Sequence, residues 1–395
     1  MSLKKNNILS AGLNNVNQLD SSSTKQLRTF TPLGLSEKEE EEARILFAGW
    51  STTVLATTNR IISQGFQNIQ DHHATEAEDE ATRLPSLDSA TANLHSAIGN
   101  QNGLLALLTT AGNLVLVSPS PTYNQIVHLV PQPTDSGPRL SHLALATNDH
   151  VVLAFKQAPK GNLCHILEFE TFDAFTRWHN DPSGGEDVQE GGTKMRHYML
   201  PGRPKQVVAN AATFLLLMEG GEVYSWGDAR YRSLGRVVVD SDGSSTAETP
   251  KLIEALGGVK VERVAGGGWL SGAVSADGAG YLWGSSGTSA TDAGMKCLNG
   301  IGSGEVALIE ILGDDGEAMD VVDLAVGSAH LAIVVKDARA RHRLFVVGNN
   351  EDGQLGLGSD VAFVEDWTEV HQLHGQHISQ LVCGPRSTYT ATTTP

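Results

Sequence analysis

The chain repeats itself, and that repetition limits its fold more than any other feature. Short alternating strands end on glycine at 12, 65, 227, 284 and 348: ILSAG at 8–12, IISQG at 61–65, EVYSWG at 222–227, GYLWG at 280–284 and RLFVVG at 343–348. The spacing is about 50 to 60 residues, except between 65 and 227, where two eroded copies fit: GNLVLV at 112–117, near position 118, and HILEF at 165–169, near position 170. A second element, a small-residue turn followed by an apolar strand, precedes each strand end. It reads AGWSTTVL at 48–55, LLALL at 104–108, HVVLA at 150–154, ATFLLL at 212–217, AGGGWLSGAV at 265–274, GSAHLAIV at 327–334 and CGPRSTY at 383–389.

Seven such units follow, each of several short strands, and no unit buries its apolar faces alone. Radial stacking solves this and leaves only short edges exposed. The expected fold is all-β: one seven-bladed β-propeller over residues 1–395 with four-stranded blades and repeat ends at 12, 65, 118, 170, 227, 284 and 348. The strand at 8–12 is the late element of a unit, whereas the last one, at 381–391, is an early element. N- and C-terminal strands are therefore expected to complete one blade and close the ring.

Charge narrows the partners. With 28 Lys and Arg against 45 Asp and Glu, the formal net charge is −17. That field repels phosphate backbones and anionic lipid, so neither direct nucleic-acid binding nor membrane binding is expected, while basic protein surfaces such as histone tails suit it. Three cysteines, Cys164, Cys297 and Cys383, lie far apart and form no C-x-x-C pair, which implies no zinc knuckle or disulfide framework and a reducing compartment. No stretch approaches 18 apolar residues, so a monomeric protein of the nucleus or cytoplasm is expected. Segments 21–25, 71–90, 118–138, 179–194, 239–250, 285–298 and 357–366 read as rim loops, and the glutamate run at 37–42 as a solvated face.

The segments YSWG at 224–227 and GNNEDGQLG at 348–356 resemble the signature of the regulator-of-chromosome-condensation repeat, most strongly after residue 201. Within that family the chain resembles the small single-propeller group of RCC1-domain-containing proteins, through PKLIEALGG at 250–258, VAGGGW at 264–269 and the ending VCGPRSTY at 382–389. The resemblance implies a non-catalytic scaffold in a nuclear or chromatin-associated complex, with a chromatin-modifying enzyme or histones as candidate partners. Two other functions stay open: nucleotide exchange on a Ran-like small GTPase, and a cytosolic propeller linked to tubulin or tRNA modification. Exchange-active members use a protruding wedge on one blade, which has no clear counterpart here.

Candidate sites are few. His330 follows the turn glycine Gly327 and is expected to hydrogen-bond backbone groups inside its blade; His150 occupies a similar place, and Leu270 and Arg386 stand near the corresponding positions. Trp226 and Trp283 end strands and belong in the core. Trp50 and Trp269 follow turn glycines, where an aromatic near the rim serves as a binding anchor. Arg230 and Arg386 lie in or beside repeat turns and suit protein contacts. The string GIGSG at 300–304 lacks the following helix that a phosphate loop needs. No catalytic, cofactor or metal residue is assigned.

Overall fold

In the computed structural model of the chain, which describes residues 6–20, 25–35, 43–57, 61–65, 94–118, 126–130, 139–156, 163–180, 195–239, 245–285 and 294–393, the repeat glycines share one geometric task. Gly12, Gly65, Gly227, Gly284 and Gly348 each close the third strand of a sheet with φ between 101° and 128°. At each of them a Cβ would collide with the carbonyl oxygen of the residue just before the second strand, namely Arg386, Ser51, Ala212, Trp269 and Ala329. Conformation and contact both exclude a side chain there.

Seven antiparallel sheets follow one another in chain order. Their first strands are Arg44–Ala48, Leu94–Asn100, Arg139–Leu145, Pro204–Ala209, Val261–Gly267, Asp320–Val326 and His377–Cys383. Each first strand packs against the next, and His377–Cys383 returns to Arg44–Ala48, so the circle closes. The molecule is a seven-bladed β-propeller. Blades 1 to 6 start in that order, and blade 7 is the closing sheet. In blade 1 three strands are described, the rest of its chain falling in 66–93, outside the described residues; the other blades have four. The glutamate run at 37–42 and the segment 71–90 lie outside them too.

Second strands are sandwiched inside their blades. Thr52–Ala56, Thr213–Met218 and Leu270–Ser275 are buried at every position, which is why they read as nearly continuous apolar runs rather than as alternation. The core lies between blades: Leu270, Val274 and Leu282 of blade 5 meet Val321, Leu331 and Ile333 of blade 6.

Blade 7 is ordered Gln26–Pro32, Asn6–Leu13, Ser387–Thr393, His377–Cys383, with Asn6 opposite Thr393 and Gly12 opposite Ser387. The two ends of the chain thus share one sheet. The eroded third strands are Leu114–Ser118 and Leu163–Phe169. After the latter stands helix α1 (Phe172–Asn180), which the expectation of strands alone did not include. Thr171 Oγ1 caps it by accepting the Ala174 N–H at 3.0 Å, and the helix buries Phe175 against Phe169, with ring centroids 5.7 Å apart.

Polar latches join the blades around the central channel. Every first strand carries an irregularity opposite the second, and in blades 3, 4, 5 and 7 the side chain of the residue after it bonds to the next blade. Gln206 accepts the Val264 N–H at 3.0 Å and donates to the Val264 carbonyl at 2.8 Å. Gln380 treats Ile45 in the same way, at 3.0 and 2.8 Å. His142 is hydrogen-bonded to the Lys205 carbonyl at 2.8 Å, and Arg263 pairs with Asp323 at 3.1 Å. Burial pushes the Asp323 carboxyl up, and Arg263 opposes it. Beside these latches the channel holds a cavity of about 380 Å³.

Candidate interaction rim

Because the third strand ends on the carbonyl before the second, two segments of every blade meet at one rim: the turn between strands one and two, and the segment after strand three. Trp50, Trp269 and Arg386 lie in the first kind of segment and Arg230 in the second. They come together as two pairs, each spanning neighbouring blades. The Arg386 guanidinium lies 5.3 Å from the Trp50 ring centroid, joining blades 7 and 1; Arg230 lies 5.3 Å from Trp269, joining blades 4 and 5. Trp50 is 40% exposed and the Arg230 side chain 69% exposed. A guanidinium over an indole sets the orientation of both groups, and part of the Trp50 ring stays exposed beside it.

Each arginine is also aimed by a carboxylate. Arg386 Nη1 meets Asp352 Oδ2 at 3.1 Å. Arg230 donates through Nε to Asp228 Oδ2 at 2.8 Å, and these hydrogen bonds hold the Asp228 carboxyl below its usual range. Tyr231, 47% exposed, lies 4.8 Å from Trp269.

The turn beneath Arg230 departs from the repeat. In the strong copy Gly353 adopts φ 80°, and the worn N-terminal copy places Asn17 there at φ 60°. In both copies an asparagine oxygen anchors the turn: Asn350 Oδ1 accepts the Leu355 N–H at 3.1 Å and Asn14 Oδ1 the Leu19 N–H at 2.9 Å. The blade 4 copy has Arg232 at the glycine position, and both Tyr231 and Arg232 take φ 58°. A left-handed non-glycine residue costs roughly 1–2 kcal/mol.

One buried carboxylate was not singled out in the sequence. Glu168, 3% exposed, accepts from Trp226 Nε1 of blade 4 at 3.1 Å and is hydrogen-bonded to His150 Nδ1 at 3.1 Å. Arg196 Nη1 and Tyr198 Oη reach it at 3.4 Å. A cavity of about 350 Å³ lies here, lined in part by His150, Glu168, Asp228 and Glu248. The signal lay only in alternation: Glu168 occupies an inward position of HILEF. Trp226 and Trp283 are fully buried, as their strand-end positions suggested.

His330 differs in detail from the reading of its sequence. It is fully buried, but its Nε2 bonds at 3.0 Å to the Thr388 hydroxyl of blade 7 rather than to backbone within its own blade. Burial pulls its pKa down to about 4. The thiols of Cys164, Cys297 and Cys383 are pushed up to about 12 by burial. At 300–304 the Gly302 N–H donates to Glu305 Oε2 at 2.7 Å and a short strand, Ala307–Ile309, follows. Among the described residues no three His, Cys, Asp or Glu side chains are arranged to hold a metal, and no helix is long and apolar enough to cross a membrane.

Comparison with known proteins gives consistent results. Residues 220–274 match the Regulator of chromosome condensation (RCC1) repeat. Human RCC1 domain-containing protein 1 is 28% identical over 223 residues, covering 47% of this chain and 56% of that protein. Mouse E3 ubiquitin-protein ligase HERC2 is 32% identical over 178 residues, covering 45% of this chain and 3% of that protein. The match therefore spans about half of the first relative and a small fraction of the second. Among solved structures, Prp20p of Saccharomyces cerevisiae superposes with a TM-score of 0.64 at 15% identity, covering 100% of this chain and 93% of that one. That structure was described together with its binding properties to Gsp1p and histones. At this identity the likeness establishes the fold.

Proposed function

Since the chain belongs to the RCC1-repeat proteins, we propose that it is a non-catalytic scaffold whose rim binds a partner protein in a nuclear or chromatin-associated complex. The observation that carries this reading is the pair of arginine–tryptophan stacks, Arg386 with Trp50 and Arg230 with Trp269, on one rim. Preformed aromatic and guanidinium groups lose little conformational entropy on binding, and such residues dominate interface energies. Each is aimed by a carboxylate and seated on a closed ring, so the rim is organised before a partner arrives. The net charge of −17 favours basic partners, histones among them, and the yeast protein of the same fold was studied for binding to histones.

The test is quantitative affinity purification of the intact chain beside Trp50→Ala and Trp269→Ala variants whose thermal unfolding matches wild type. A stoichiometric partner should be recovered by the wild type, and each variant should weaken it by about 2 kcal/mol or more, roughly thirtyfold. Recovery of the same partners by all three proteins would refute a role for the rim. Nucleotide release from a Ran-like GTPase, measured in parallel, is expected to stay at its spontaneous rate.

A further inference from the structure

The sequence holds two Asn-Gly pairs, Asn102-Gly103 and Asn299-Gly300, and the fold treats them oppositely. An asparagine before glycine is able to react with its own backbone: the glycine nitrogen attacks the side-chain carbonyl carbon and closes a five-membered ring. Attacker and target belong to adjacent residues, so the step has the advantage of an intramolecular reaction, and glycine has no Cβ to obstruct the approach. The structure decides whether the peptide plane between the two residues is free to turn toward the side chain.

At Gly103 that turn would break a hairpin. Gly103 opens the strand Gly103–Thr109, is buried, and pairs with Asn100 across the hairpin. Its carbonyl oxygen also packs on Gly99, where a Cβ would collide with it. Asn102 is exposed, but the nitrogen it would need is locked in the ladder.

Asn299-Gly300 stands in the segment after the third strand of blade 5, at the start of GIGSG. It follows a single helical turn, Lys296–Leu298, with Asn299 extended at φ −70°, ψ 137° and Gly300 at φ 77°. Both residues are exposed, and a Cβ on Gly300 would meet nothing within 4 Å. The Asn299 N–H donates to the Lys296 carbonyl at 3.1 Å, which anchors the near side. Among the described residues neither the Asn299 side-chain amide nor the Gly300 N–H has a hydrogen-bond partner. Solvent-exposed backbone held by so few bonds moves at little cost.

We propose that Asn299 is a self-modifying site, which converts through a succinimide to isoaspartate and aspartate. The Gly300 nitrogen gives up its proton to hydroxide and bonds to Asn299 Cγ; the Cγ–Nδ2 bond breaks and ammonia leaves. Water then opens the ring. Attack at the main-chain carbonyl gives isoaspartate, with the chain running through Cγ, and attack at Cγ gives aspartate. No oxidant or reductant takes part. Either product replaces a neutral amide by a carboxylate, so the formal net charge goes from −17 to −17 − 1 = −18. Isoaspartate also lengthens the backbone by one methylene. Two residues on, the Ile301 carbonyl accepts from Arg232 Nη1, and Gly304 lies against Val237 of blade 4. The modification therefore acts beside the left-handed turn that carries Arg230 over Trp269.

The experiment incubates the intact folded chain at pH 7 and pH 8, with the urea-unfolded chain alongside to set the intrinsic rates. Peptide mapping by mass spectrometry follows exchange of NH2 for OH at both asparagines, and methyl transfer from S-adenosylmethionine by an isoaspartyl carboxyl methyltransferase detects the isoaspartate. In the folded chain Asn299 should convert faster than Asn102 by on the order of tenfold, and faster at the higher pH. In urea the two rates should draw together. Asn299→Gln, whose longer side chain closes the ring poorly, should keep its circular dichroism and lose both the acidic band in isoelectric focusing and the added methyl incorporation. An Asn299 that stays intact in the folded chain while the unfolded chain converts, or equal rates at the two asparagines in the folded chain, would overturn the proposal. Conversion is read without any partner, so this result is independent of what the rim binds.

Discussion

Acid should loosen this ring at one identifiable residue. His330 is fully buried between blades 6 and 7, and burial pulls its pKa from 6.5 down to about 4, with the Ser387 backbone opposing in part. Burial sets the direction, and the packing around the ring shows why a second proton is resisted. Thr388 Oγ1 donates to the Gln354 carbonyl at 2.7 Å, so it accepts from His330 Nε2–H. Nδ1 is then left bare, buried without a partner, facing Gly327 where even a Cβ would strike the ring. A second proton would have to sit there, charged and unpaired. The unfolded chain takes up that proton near pH 6.5, whereas the folded chain resists it until about pH 4. Stability from this group is thus fully present above pH 6.5 and is lost as pH falls toward 4. At 1.36 kcal/mol per pH unit the whole loss is about 3 kcal/mol, of which about 2 kcal/mol has gone by pH 5. Urea midpoints measured from pH 7 to pH 4 for wild type and His330→Asn check this. The variant starts less stable at pH 7, and its curve should be flatter by about 3 kcal/mol over the range. Carboxylates affect both proteins alike, so parallel curves would refute the argument.

Three further outcomes follow from the interblade contacts and the rim turns. Gln206→Ala and Gln380→Ala each strand a backbone N–H and a carbonyl on the next blade and should cost about 1–2 kcal/mol in urea unfolding; because the latches serve different blade interfaces, the double variant should equal their sum within about 0.5 kcal/mol. Glu168→Leu leaves the buried Trp226 Nε1–H without its acceptor and should cost about 2–3 kcal/mol in the same assay. Arg232→Gly should raise stability by about 1 kcal/mol by relieving a left-handed residue, while Gly353→Ala should lower it, since its Cβ would stand 2.9 Å from Arg28 Cα; shifts of the same sign would show that the two turns are not equivalent.

The fold was legible where its geometry demands a particular residue type. Gly12, Gly65, Gly227, Gly284 and Gly348 mark third-strand ends because nothing with a side chain fits over the turn carbonyl. Where that approach is relaxed the mark vanishes: the strands Leu114–Ser118 and Leu163–Phe169 lack the glycine and were placed by spacing. Helix α1 was missed although Thr171 and the spacing of Phe172, Phe175 and Trp178 suit a capped amphipathic turn, because the seven-fold strand pattern dominated the reading. The rim residues Trp50, Trp269, Arg230 and Arg386 were readable singly from their turns. Their pairing was not, since Arg230 meets Trp269 only where blade 4 packs on blade 5, and Arg386 meets Trp50 only through closure of the ring. Gln206 and Gln380 were invisible for another reason: an irregularity in the strand shifts the face a residue occupies, so alternation no longer tells where its amide points.

The shared sheet at the two ends also has a consequence in time. During synthesis the strand Asn6–Leu13 is made long before the neighbour it needs, Ser387–Thr393. At about 5–20 residues per second, a hydrogen-bonding edge stays open for about 20 to 75 seconds on every nascent molecule. Such an edge invites pairing with other chains, so ribosome-associated holdases are expected to cover it, and translation rate rather than equilibrium stability should govern the yield of native protein.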